Sequence, residues 1–275
     1  MKTGKLRTVV FGIVSVIWLI PAVLAVMNSF KTNEAINTDL FALPGAGTFA
    51  ADNYAAALTY GDYPFFASFA YSVVISVLST SLIIVCCSMA AWYIVRVDSV
   101  FSRIFFGMCI FSLAVPFQMV MFTLSSTAYT IGLDTPWTIP LVYLGYGAGM
   151  SIFMFTGFIR DLPFEIEEAA NLDGCGPVRT FFLIVFPMLR PVSVSVGILQ
   201  LMWVWNDYLL PYLVLDITEY RTIPIHVQYL KGSYGSVDLG ASLAVIVMAL
   251  LPIMVVYAFC QKYIVKGMTA GAVKG

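Results

Sequence analysis

The sequence predicts an all-α, polytopic membrane protein with six transmembrane helices, and three observations carry that reading. First, 60% of its 275 residues are hydrophobic and only 11% are charged, with a mean hydropathy of +0.92. A soluble domain carries about a quarter charged residues. Second, six apolar stretches are each long enough for the roughly 20 residues a helix needs to cross a bilayer core. They run over 8–30, 68–95, 104–127, 136–158, 191–215 and 239–261, together forming a single transmembrane domain over 1–275. Third, the basic residues segregate. With the N-terminus in the cytoplasm, eleven of the 14 Lys and Arg fall inside, and only Lys31, Arg221 and Lys231 fall outside. Positive charge collects on the cytoplasmic side of such proteins, so both termini are placed there.

The first stretch follows the basic start MKTGKLR, a combination shared with secretory signal peptides. Its apolar run exceeds the roughly 7–15 residues of a signal core, so it is read as a retained helix. The external segment after it, about 31–66, ends in Tyr60, Tyr63, Phe65 and Phe66, aromatics suited to the headgroup region. Five of the six stretches contain no Asp, Glu, Lys or Arg, and the fifth contains one, Asp207. The outer loop 216–238 is too polar to span, and its His226, the only histidine, reads as a surface residue without a ligand-spaced partner. Cys86, Cys87, Cys109, Cys175 and Cys260 all lie in inner parts of spans or in the cytoplasmic loop, where they read as small apolar fillers and one loop thiol.

The cytoplasmic loop 159–190 is the informative one. RDLPFEIEEAANLDGCGPVRTFFLIVFPMLRP reads as helix, turn, helix. Asp161 can cap the first helix, with Pro163 in its first turn. Glu165, Glu167 and Glu168 suit the positive end of its dipole, and Gly174 can take the left-handed conformation that stops it. Phe181, Ile184 and Val185 form an apolar face before Pro187 interrupts it. Ala169 and Ala170 leave the helix thinly covered, open to another surface; an amphipathic connector lying on the membrane is the plainer alternative.

Nothing along the chain reads as a catalytic cluster, a metal site or a phosphate-binding Gly-x-x-x-x-Gly-Lys-Ser/Thr loop. Trp203, Trp205, Asn206, Asp207 and Tyr208 form a possible solute pathway, because a carboxylate in an apolar span is a functional candidate. A structural duty at the helix end before Pro211 is the competing reading. Gln118, Gln200, Tyr143 and Tyr146 suit hydrogen bonds between helices.

Glu168-Ala169-Ala170, three residues, Gly174, nine residues, Ile184, Val185, Phe186 and Pro187 together resemble the loop pattern of permease subunits of binding-protein-dependent ABC importers. The single departure is Phe186 in place of a leucine. WNDYLLP, Trp205 to Pro211, and the C-terminal GMTAGAVKG, 267–275, are similar to the carbohydrate branch, of the maltose-type second permease subunit. The resemblance implies the type I importer permease fold in a prokaryotic inner membrane. It implies an ATP-driven importer of a sugar or oligosaccharide, in which this chain, itself no enzyme, forms half of the pathway. The implied partners are a second, non-identical permease, two copies of an ABC ATPase, an extracytoplasmic solute-binding protein and membrane lipid, with no nucleic acid. This chain would bind no cofactor; ATP and Mg would be held by the ATPase, and 161–187 would be the coupling joint through Glu168, Ala169, Ala170, Gly174, Ile184 and Pro187. The tail 267–275 would reach between the ATPase subunits, whereas its small residues alone suggest an irregular terminus. The rival is a self-contained ion-coupled transporter or facilitator. It lacks the chained intramembrane ionisable groups that such coupling uses, because Asp207 stands alone.

Overall fold

Helices dominate the chain. The structure, a computed structural model, describes the backbone of 2–59, 63–230 and 238–272, and the side chains of 7–59, 63–230 and 238–261. Among the described residues, four helices are long and apolar enough to cross a membrane. They lie in α1 (Lys2–Asn28), α4 (Phe65–Arg96), α7 (Ile139–Ile159) and α14 (Leu239–Ala272). Two bent pairs bring the number to six when each is taken as one span. In the first, α5 (Val100–Ser112) and α6 (Phe117–Thr130) meet at 110°. The expected span 104–127 is therefore not one helix. Pro116, extended at φ −62° and ψ 139°, lacks the N–H that an unbroken helix would need there.

The second pair replaces the expected span 191–215. It consists of Pro177–Met188 and α11 (Arg190–Asn206), bent by 78°. α12 (Leu209–Val214) follows as a separate turn of helix. Within Pro177–Met188, α9 (Pro177–Thr180) passes into a π turn over Phe181–Val185 and then into α10 (Phe186–Met188). The Phe186 N–H reaches back five residues to the Phe181 carbonyl. Pro187 consequently sits inside continuing helix, and the interruption falls at Leu189 instead. At the other end of the chain α14 keeps helical backbone to Ala272; 273–275 lie outside the described residues.

The chain divides into two compact units. The first comprises 1–68 and 225–254. There α2 (Asn33–Thr38) and α3 (Asn53–Thr59) follow α1, and α13 (Ile223–Gln228) begins just before the second segment. The Asn53 amide donates to the carbonyls of Ser29 and Lys31, at 2.9 and 2.8 Å. His226 is buried, not a surface residue: its Nδ1 lies 3.1 Å from the Ser68 hydroxyl and its ring stands edge-on to Phe65. Phe65 is buried with it and is not an interfacial anchor, whereas Phe66 is exposed; Tyr60 lies outside the described residues.

Two apolar cores lie within the second unit, 69–224 with 255–275. One gathers Ile83, Cys87, Phe155, Ile159, Phe181, Val185 and Leu189, so the π turn is itself part of the packing. α5 and α7 approach closely at Gly149, where a Cβ would lie 2.7 Å from the Cys109 carbonyl. Only a glycine permits that spacing, in keeping with the small residues found where membrane helices touch.

Candidate functional site: the cytoplasmic loop

α8 (Glu165–Leu172) begins later than its sequence suggests. Its N-cap is Phe164, which offers no side-chain hydrogen bond, and Asp161 does not cap it. Pro163 lies ahead of the cap instead of in the first turn. The reason is that α7 runs out through two tight turns, with the N–H groups of Asp161 and Leu162 bonded to Phe158 and Ile159 carbonyls. Residues 161 and 162 are therefore already committed before a new helix can start.

The far end of α8 matches the expected chemistry. Gly174 has φ +80°, the left-handed conformation that disfavours any side chain. Its N–H donates to the Asn171 carbonyl and that of Cys175 to the Ala170 carbonyl, both at 3.0 Å. This pair of bonds is the Schellman closure, which satisfies carbonyls left over at a helix end. A Cβ on Gly174 would touch nothing within 4 Å, so only backbone conformation makes the glycine necessary.

What holds α8 in place is a carboxylate that the sequence pattern does not single out. Glu167 is 4% exposed, and Arg96 at the end of α4 bonds it through Nη2 at 2.8 Å and Nε at 2.9 Å. Trp92, one turn earlier on the same face of α4, donates its indole N–H to the other carboxylate oxygen at 2.9 Å. The same guanidinium donates to the Leu162 carbonyl at 3.2 Å and lies 5.4 Å from the Phe164 ring. Trp92 also packs on Phe181 in the π turn, ring centroids 5.5 Å apart. One helix end thus grips both halves of the loop. A buried charge pair tolerates desolvation only when its geometry and remaining hydrogen bonds are good, and both conditions hold here.

The four-residue core of the pattern splits between two environments. Glu168, Ala169 and Gly174 are exposed, but Ala170 is buried at 3%, so the expected bare alanine pair is in fact one exposed residue and one packed residue. The exposed surface is instead apolar through Leu172, which is 89% exposed, with Phe164, Val178 and Leu183 also uncovered. Ile184 is half-buried and Pro187 exposed.

The second set of residues lies at the other end of α11. Asp207 ends that helix with extended backbone, φ −73° and ψ 122°. Its Oδ1 accepts the N–H groups of Leu209 and Leu210 at 3.0 and 3.4 Å, and its Oδ2 accepts the Tyr143 hydroxyl at 3.0 Å. Trp203 packs between Tyr143 and Tyr146, while Trp205 is buried against Phe69 on a different side. Asn206 is exposed and bonds back to the Met202 carbonyl at 2.7 Å; Tyr208 stacks on Tyr212. The five residues are neighbours in sequence but do not line one surface. Gln200 ties α11 to α7 through Ser151 Oγ at 3.0 Å, the interhelical duty expected of it.

Residues 83–270 match the model of the binding-protein-dependent transport system inner membrane component. The chain belongs to that family. Among its relatives, the probable starch degradation products transport system permease protein AmyC of Thermoanaerobacterium thermosulfurigenes is 31% identical, over 95% of this chain and 94% of the relative. The multiple sugar-binding transport system permease protein MsmG of Streptococcus mutans is 33% identical, over 98% and 96%. A crystal structure of a bacterial ABC transporter involved in the import of the acidic polysaccharide alginate superposes with a TM-score of 0.81 at 20% identity. The match covers 94% of this permease and 95% of that chain, and it gives the permease the importer fold. The permease is an integral inner-membrane component of an ABC transport system, working with an ATPase and a solute-binding protein.

Proposed function

We propose that this permease imports a sugar or oligosaccharide, and that the 161–187 loop is the joint through which a separate ATPase drives it. A second, non-identical permease would complete the pathway, and two ATPase copies would bind ATP and Mg, leaving this chain without a catalytic step. Relatives named for starch degradation products, for multiple sugars, and for melibiose, raffinose and stachyose in Bacillus subtilis support the solute class. The observation that carries the coupling role is the construction of α8. It is short, closed at its C-terminus by Gly174, held by Arg96 and Trp92 through Glu167, and crowned by exposed Leu172. A helix held in this way transmits a push instead of fraying under it.

In this reading Glu168, Ala169 and Leu172 meet the ATPase surface, Gly174 sets the end of the lever, and Ile184 with Pro187 carries the motion toward α11. At the outer end Asp207 has a structural role, fixing the break between α11 and α12, and leaves Asn206 and Tyr208 as the groups of that segment available to solute. Purified complex in vesicles, with and without the ATPase subunit, tests the assignment. ATP-dependent uptake of an oligosaccharide only in the full complex is expected; flux through the permease without the ATPase would instead support a self-contained carrier.

A further inference from the structure

Thr80 and Ile84 of α4, Phe186 and Pro187 of α10, residues of α11 from Arg190 to Leu201, and Val256 and Cys260 of α14 line an open cleft of about 480 Å³ in the second unit. Its exposed lining is almost wholly apolar, which makes it a poor passage for a hydroxyl-rich solute. Gly197 lies on its wall, with no side chain to close the space between α11 and Ile84. Arg190 stands exposed at the cytoplasmic mouth, and the ion pairs found among the described residues, Arg96–Glu167 and Arg103–Asp98, do not use it. Two further wall residues, Ser193 and Thr80, have buried hydroxyls with no hydrogen-bond partner among the described residues, and Thr80 is more than nine-tenths buried.

The depth of the cleft identifies its occupant. From Arg190 to Leu201 a helix rises about 16 Å at 1.5 Å per residue, which is half of the roughly 30 Å hydrocarbon core. A transmembrane helix of a partner would cross the whole core, whereas one acyl chain fills one leaflet. We infer that the cleft holds an acyl chain of an anionic phospholipid from the cytoplasmic leaflet, with Arg190 on its phosphate and Ser193 donating to a glycerol ester one turn deeper. Such a lipid would wedge α11 against α4 and α14 next to the coupling loop.

Cys260 in the wall reports on occupancy directly. The delipidated full complex in detergent is treated with a lipophilic maleimide, with phosphatidylglycerol or phosphatidylcholine added back, and alkylation at Cys260 is followed by peptide mass spectrometry. Cys175, in the loop and away from the cleft, is the reference whose rate must not respond. Phosphatidylglycerol is expected to slow alkylation of Cys260 about fivefold more than phosphatidylcholine does, the ratio set by one basic residue at an anionic surface. Arg190→Gln should erase that preference, and Arg190→Lys should keep it. Indifference of Cys260 to lipid, equal protection by the two lipids, or an unchanged preference in Arg190→Gln would each overturn the assignment. Native mass spectrometry of the same samples gives a second reading, one retained phosphatidylglycerol per permease in the wild type and none in Arg190→Gln.

Discussion

Two carboxylates at opposite ends of the permease's second unit, buried Glu167 and half-buried Asp207, are handled in different ways. Glu167 is matched by a guanidinium and an indole from α4, 71 and 75 residues earlier. Asp207 is matched by two backbone amides of the residues just after it and by one tyrosine hydroxyl. The first arrangement joins separate elements with a charge pair; the second finishes one helix and starts the next. A charge pair between elements fixes how a loop sits on its helix, while a capping carboxylate fixes a local break and uses its charge little.

The largest expected effect comes from breaking the first arrangement on one side only. Arg96→Ala leaves Glu167 buried with the indole alone, and an orphaned buried charge costs about 3 kcal/mol. Limited proteolysis of the complex in detergent should show the 160–180 loop cut far faster in that variant. The double variant Arg96→Met with Glu167→Leu, which removes both charges and keeps bulk, should be cut more slowly than the single one. Equal cleavage of the two would mean that the pair does not hold the loop.

At the outer end the effects are smaller. Asp207→Ala deprives the start of α12 of its acceptor and should lower thermal stability by about 1 kcal/mol, the usual loss of a helix cap. Asp207→Asn should change least of all, because the amide oxygen still accepts from Leu209 and Leu210, and the NH2 in the place of the other oxygen donates to the Tyr143 hydroxyl oxygen. Uptake by that variant close to the wild type is the expected result. Abolished uptake in a stable Asp207→Asn protein would instead mean that the charge itself takes part in transport.

Those contrasts also mark what the sequence made legible. The stop at Gly174 was readable because a glycine closing a short acidic helix has one common conformation, and φ +80° is that conformation. The break at Pro116 had its signal in plain view, but hydropathy averages over a proline and sees only one long apolar run. The start of α8 was misplaced because capping preference says nothing about the turns that carry α7 past Ile159. Glu167 looked like one more dipole-favoured acid, since no spacing rule connects it to Trp92 and Arg96. His226 read as surface because it lies in a polar loop, and its burial depends on Ser68 and Phe65, far away in sequence. Local chemistry was visible from the residues; pairings between distant segments were not.

The most direct test of the coupling role compares two substitutions at Gly174 in the reconstituted complex. Asparagine tolerates the left-handed backbone and valine does not, with a penalty of about 1–2 kcal/mol for a residue forced there. The Cβ that both substitutions add would meet nothing within 4 Å. Gly174→Asn is expected to keep ATP-driven uptake, while Gly174→Val should insert and assemble normally but hydrolyse ATP without importing solute. Uptake at the wild-type rate in Gly174→Val would contradict the coupling role.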